Sequence, residues 1–329
     1  MNKLTRTGII ILALLMSISL SVFAQTLSDL GEIQKEVVDF SENLAKSMPL
    51  NASLGLNWAD AHIGKLFPSL PPHFGVGLSF GVTTMEMSVI KDLAGHLGYK
   101  VPFNSKKMIL PAYTGEARIG GFFLPFDIGA KVGYLPPIKI WGTDLNANFL
   151  LIGADIRYAL LDGKSKPVIP SLSLGVGVNF LKGSIGGKAG ESNEIAFGIY
   201  RIQLDQPDVN LEWKTVVLDI KMQLSKTILV LTPYVGLGVS YAKSHVGYSV
   251  EANISGDINE IKGFLNQYGL ADMDVGAKGI SSIITDKAFN FRIYGGLALN
   301  MMAFKLDFSG LYSIRDNNFG VSVGFRFQL

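Results

Sequence analysis

Opposite charges recur in close pairs along segments that read as strands: Glu116 with Arg118, Asp155 with Arg157, Asp219 with Lys221, Lys305 with Asp307, and Asp127 with Lys131 at a spacing of four. Residues i and i+2 of a strand share a face about 7 Å apart. Each acid therefore has a base in reach along its own strand and across to its neighbours. Arg292 and Arg326 complete a set of twelve charges. Two chemistries fit such a face. One is a structural core in which charges pair because an unpaired buried charge is costly; the other is a conduction or relay path, for which the mixed signs give no basis for strong ion selectivity. Catalytic signatures are missing. The chain has four His and no His-x-x-x-His, and its Asp60-x-His62 lies before the first strand. No catalytic residue, metal site or cofactor is expected.

The face that carries these charges belongs to segments with a period-2 pattern long enough to cross a bilayer, for which roughly 9 to 11 residues are needed. Over 73–83, Phe74, Val76, Leu78, Phe80 and Val82 face one way and His73, Gly75, Gly77, Ser79, Gly81 and Thr83 the other. Further strands are expected at 113–124, 126–134, 146–161, 168–180, 211–224, 228–250, 289–299, 303–313 and 319–329. The phase changes at Pro125, which reads as a tight turn or as a bend in one strand. The segment 195–204 also has strand composition, so the count is ten with eight to fourteen open. The fold class is all-β, an antiparallel transmembrane barrel. Only closed barrels and helices satisfy every backbone group in lipid, and no apolar run after residue 24 reaches the roughly 18 to 20 residues of a spanning helix.

If the first strand runs outward, the connections 85–112, 135–144, 181–210 and 251–287 fall outside and short turns near 125, 164, 226 and 301 inside, the asymmetry of bacterial barrels. Tyr113, Phe126, Tyr134, Trp141, Phe149, Tyr158, Trp213, Tyr241, Phe289 and Tyr312 are candidates for two aromatic girdles. The final decapeptide alternates Val321, Val323, Phe325, Phe327 and Leu329 with small or polar residues. Ser322, Gly324, Phe327 and Leu329 resemble the apolar C-terminal signal read by the barrel-assembly machinery, with Leu at the end in place of Phe.

Upstream, Lys3 and Arg6 precede an apolar run and Val22-Phe23-Ala24, a secretory signal over 1–24. Removing those two cations takes the formal charge from +2 to zero, which argues against nucleic acid partners. Cysteine is absent, excluding a lipoprotein, a thiol enzyme and a disulfide scaffold. In the segment 25–72, Leu30, Ile33, Val37, Phe40 and Leu44 form one apolar stripe of a helix over about 27–48. That helix packs under the barrel in the periplasm, or the stretch with Trp58, Asp60 and His62 enters the lumen as a hatch. Strands one, five and seven would receive it with small inward residues: Gly75, Gly77 and Gly81; Gly175 and Gly177; Gly236 and Gly238. Short amphipathic helices are expected at 85–98 and 257–268, capping the barrel or collecting greasy ligands.

The segment from Met48 to Gly64, followed by the barrel pattern over 73–329, resembles the long-chain fatty-acid transporter (FadL-like) outer-membrane proteins, although the Asn-Pro-Ala signature of that family is missing. The resemblance implies passive passage of hydrophobic small molecules across the bacterial outer membrane, with membrane lipid and a hydrophobic ligand as partners and the oligomeric state open. The alternative is a surface-exposed adhesin or structural barrel with no transport.

Overall fold

The computed structural model describes residues 27–67, 69, 72–86, 107–139, 144–163, 168–188, 193–197, 200–204, 208–251, 254–255 and 280–329. The signal segment 1–24, Trp141 and the helix expected over 257–268 lie outside them. A helix, α1 (Leu27–Ala52), leads into a short strand, β1 (Lys65–Phe67), and then into the barrel.

Ten antiparallel strands close the barrel: β2 (Phe74–Glu86), β3 (Lys107–Phe122), β4 (Phe126–Lys139), β5 (Leu145–Leu161), β6 (Ser171–Lys188), β9 (Asp208–Ser225), β10 (Leu231–Glu251), β12 (Ile280–Met301), β13 (Phe304–Ser313) and β14 (Asn318–Gln328). The pairing of β3 with β4 closes the ring. Between β6 and β12, β7 (Asn193–Phe197), β8 (Tyr200–Leu204) and β11 (Ile254–Ser255) form a separate three-stranded sheet. The strand composition of 195–204 is spent there rather than in the wall, and ten is the number. At Pro125 the chain turns between β3 and β4, with Phe123 in the left-handed region at φ 60.

Each expected barrel strand is present, but several run further than their apolar alternation. β3 starts at Lys107, β6 continues to Lys188 and β12 begins at Ile280. Beyond the apolar band the outward residues turn polar, as at Lys182 and Lys287, while backbone pairing continues into water. β2 likewise runs to Glu86, so the helix expected from residue 85 begins as strand and its remainder lies outside the described residues.

The outward face is apolar. Leu78 and Phe80 on β2, Leu218 and Ile220 on β9, and Leu237 on β10 are each more than half exposed. Aromatic side chains edge this band twice. Phe80, Tyr113, Tyr134, Tyr241, Phe289, Tyr312 and Phe319 ring the end with the long connections, and Phe67, Phe74, Phe122, Phe123, Tyr158 and Phe304 the end with the short turns. Phe149 and Trp213 depart from the girdle reading: both are half-buried and pack on an interior cluster.

The helix lies inside. Phe40, Leu44, Ala45 and Met48 pack against Met85, Met108, Leu145, Val209 and Val246, all near strand ends that carry the long connections. After Pro49, turn bonds from the amides of Ser53 and Leu54 to the carbonyls of Leu50 and Asn51 end the helix. Gly55 follows at φ +82, where a β-carbon would stand 2.6 Å from Thr114 Oγ1, so only glycine fits. The chain then reaches the short-turn end, where β1 pairs in parallel with the end of β3 and leads into β2. α1 therefore descends the lumen from the long-connection end.

Candidate functional site: the filled lumen

The lumen has two tiers. The upper tier is apolar, formed by the face of α1 and the inward residues Leu151, Leu181, Val217 and Ala242. The lower tier holds the charges. Arg118 donates to Asp127 at 2.5 Å and to Asp155 at 2.7 Å; Arg157 donates to both oxygens of Asp127 at 2.8 and 2.9 Å. Lys221 lies 2.5 Å from Asp155, Arg292 2.6 Å from Asp219, and Arg326 2.7 Å from Asp307. All of these residues are buried.

The pairing differs from the one the sequence suggests. The short bonds run between strands, not between i and i+2 neighbours of one strand, because cross-strand partners stand about 5 Å apart and same-face neighbours about 7 Å apart. Asp127 and Arg157 are direct cross-strand partners. Others meet across a glycine. Arg118 and Asp155 both oppose Gly129, and a β-carbon there would lie 2.6 Å from Asp155 Oδ1 and 2.7 Å from Arg118 Nη2. Asp155 and Lys221 meet across Gly175 and Gly177 of β6, and Asp219 and Arg292 across Ser240 and Gly238 of β10. The small inward residues thus serve largely as windows for long side chains of flanking strands. Gly129→Val closes one window; overpacking of about 1–3 kcal/mol is expected, read as a lower urea midpoint of the folded barrel.

The segment 51–63 is bonded into this network. Trp58 is 3 % exposed; its indole N–H donates to Glu116 at 2.6 Å, and the Arg326 guanidinium lies 4.6 Å from its ring. The ring stands against Gly75, where a β-carbon would be 2.9 Å from Cη2. Asp60 accepts from Lys305 at 2.8 Å and Arg326 at 3.0 Å. His62 is buried. Wall side chains also take the segment's backbone. Lys131 donates to the carbonyls of Ala52 (2.9 Å) and Leu54, Arg157 to that of Asp60 (2.8 Å), Gln223 to those of Trp58 and Ala59 (2.8 and 3.0 Å), and Tyr234 to that of Asn57 (3.1 Å). In return the amides of Ala59, Ala61 and Ile63 donate to Asp307, Ser225 and Asp127. The spaces beside Trp58 and Lys131 measure about 20 and 10 Å³, room for a water molecule or so each.

Gln223, Ser225 and Tyr234 were not legible as contacts. Their inward parity was readable, but an uncharged polar residue at an inward position names no partner. At the seam, the amide of Leu329 donates to the Phe74 carbonyl at 3.0 Å, Phe327 packs on Phe304 with ring centroids 5.6 Å apart, and Gly324 sits opposite Asp307 and Ser79. Among the described residues, no group of three or more His, Asp or Glu is placed to hold a metal ion.

A closed barrel, apolar outside and charged in its lower lumen, with that lumen filled by the segment that precedes it, is an outer-membrane β-barrel fold. Residues 96–329 match the Lsa36-like family, and the chain belongs to it. No curated protein sequence matches significantly. Among solved structures, the outer-membrane protease OmpT of Escherichia coli is 10 % identical, covering 79 % of this chain and 97 % of the protease, at a TM-score of 0.40. The translocator domain of the autotransporter NalP from Neisseria meningitidis is 9 % identical over 91 % of this chain and 98 % of that domain, at 0.32. A Pseudomonas aeruginosa FadL homologue is 6 % identical over 78 % and 89 %, at 0.23. These likenesses are too distant to bear on activity.

Proposed function

We propose that this protein is a sealed anchor of the bacterial outer membrane that presents its long-connection end, with the N-terminal end of α1, at the cell surface, and that it passes no solute in its resting state. The observation that carries this reading is the bonding of residues 51–63 to the wall. Side chains of eight strands (Glu116 on β3, Lys131 on β4, Arg157 on β5, Gln223 on β9, Tyr234 on β10, Arg292 on β12, Lys305 on β13, Arg326 on β14) hold the segment at 3.1 Å or less. An apolar band between two aromatic edges supports the membrane location. The long-connection end carries residues 87–106, 140–144, 189–207 and 252–279, which gives that end the chain length to meet a partner.

A second reading, passage of hydrophobic small molecules, is favoured by the upper tier: withdrawal of α1 would open a mouth lined by Met85, Met108, Leu181 and Val246 rather than by charges. Planar-bilayer recording of the full-length protein separates the two. The anchor reading expects no channel steps, with or without a long-chain fatty acid. Steps of uniform size that appear when the fatty acid is added would favour passage and overturn the anchor.

A further inference from the structure

Four lysines face outward just beyond the apolar band on four successive strands: Lys182 on β6, Lys214 on β9, Lys243 on β10 and Lys287 on β12, all exposed. Lys182 and Lys214 are direct cross-strand partners, and so are Lys243 and Lys287. Like charges directly opposite on one face destabilise a sheet, so this surface carries a cost that a plain solvated rim would avoid. Among the described residues none of the four is in an ion pair. The acid nearest in register, Glu212, sits two residues from Lys214 on the same face, and its Oε1 accepts from Asn210 at 2.7 Å. Lys214 Nζ also stands 5.7 Å from the Phe180 ring, at the edge of the band.

A concavity of about 610 Å³ on the outer surface extends from Ile128 of β4 and Ile156 of β5 to these strands, where Val178, Leu218, Tyr241 and Phe289 line it. Tyr241 and Phe289 lie two residues from Lys243 and Lys287, about 7 Å along β10 and β12, while Val178 and Leu218 lie four residues from Lys182 and Lys214, about 13 Å along β6 and β9.

We propose that the outer face of β6, β9, β10 and β12 is a binding site for a phosphorylated lipid of the leaflet at the long-connection end. The phosphates sit on the four lysines and the acyl chains fill the hollow beneath. Phosphate supplies the counter-charge that the strands lack, and a lipid is the one molecule that offers it at the edge of an apolar band. The site rests on the reading that the barrel lies in a membrane.

Full-length refolded protein is tested by native mass spectrometry against a bisphosphorylated, acylated glucosamine disaccharide and its dephosphorylated form. The wild type is expected to bind the phosphorylated lipid at least tenfold more tightly. The quadruple variant K182Q/K214Q/K243Q/K287Q is expected to lose that preference and the corresponding arginine variant to keep it. Val178→Trp, which fills the hollow, is expected to weaken both lipids alike. A wild type that does not discriminate, or a glutamine variant that discriminates as well as the wild type, would overturn the site. Flotation with neutral phosphatidylcholine vesicles reports the membrane reading separately: protein that floats but does not discriminate defeats the lipid site alone, and protein that does not float defeats the membrane reading beneath it.

Discussion

Asp127→Ala should be the most damaging single substitution in the barrel, costing about 3–5 kcal/mol, the range found when one partner of a buried ion pair is removed. Asp127 is fully buried and accepts four bonds: one from Arg118, two from Arg157 and one from the amide of Ile63. Arg118 would keep Asp155, whereas Arg157 would keep only the carbonyl of Asp60. A guanidinium cannot shed its charge to escape. The substitution thus strands a cation and frees the end of the inserted segment together. Asp127→Asn keeps an acceptor of the same shape and should lie between the two. Urea unfolding of the folded barrel reads the difference. A midpoint for Asp127→Ala within about 0.5 kcal/mol of the wild type, the range of an ordinary surface change, would show that the lower tier is not a tightly held core.

The second large effect concerns the lumen. Deletion of residues 27–64 removes every contact of α1 and of the segment after it and leaves the ten strands. The truncated barrel is expected to conduct in planar bilayers where the full-length protein does not. Full-length Lys131→Ala/Gln223→Ala, which releases four carbonyls of the segment while keeping the chain intact, should show brief openings. This variant keeps the prediction testable if the truncated chain fails to fold. A folded truncated barrel without conductance would mean that wall side chains close the lumen by themselves.

Strand parity was the readable part of this chain. Phe74 to Val82 and Leu172 to Phe180 alternate with small or polar residues so regularly that the lipid face and the inward charges followed from the sequence, whereas the strand count of ten stood with eight to fourteen open. Partners did not follow. Which carboxylate meets Arg118 depends on the register of β4 against β3 and β5, and on Gly129 leaving room between them; neither is a property of one strand. The small inward residues of β2, β6 and β10 suggested room for an inserted segment. In the structure much of that room is taken by Arg157, Lys221, Arg292 and Arg326 from neighbouring strands, with Trp58 over Gly75. The course of α1 was also illegible, because an apolar stripe at Phe40 and Leu44 packs equally well beneath a barrel or inside one. Tertiary contacts with Met85 and Val246, far away in sequence, decide it.

Because the chain contains no cysteine, one introduced thiol can report where the segment lies. Ala59 is fully buried between the Gln223 and Asp307 side chains, and Ala59→Cys is a small change. Labelling of the folded, membrane-inserted protein with a water-soluble maleimide measures its access directly, with a thiol at the exposed Lys139 as reference. A lumen filled by residues 51–63 predicts that Cys at 59 stays unlabelled over a time in which the reference reacts fully, and that it reacts only after unfolding. Equal rates at the two positions in the folded protein would contradict the filled lumen and the anchor reading built on it.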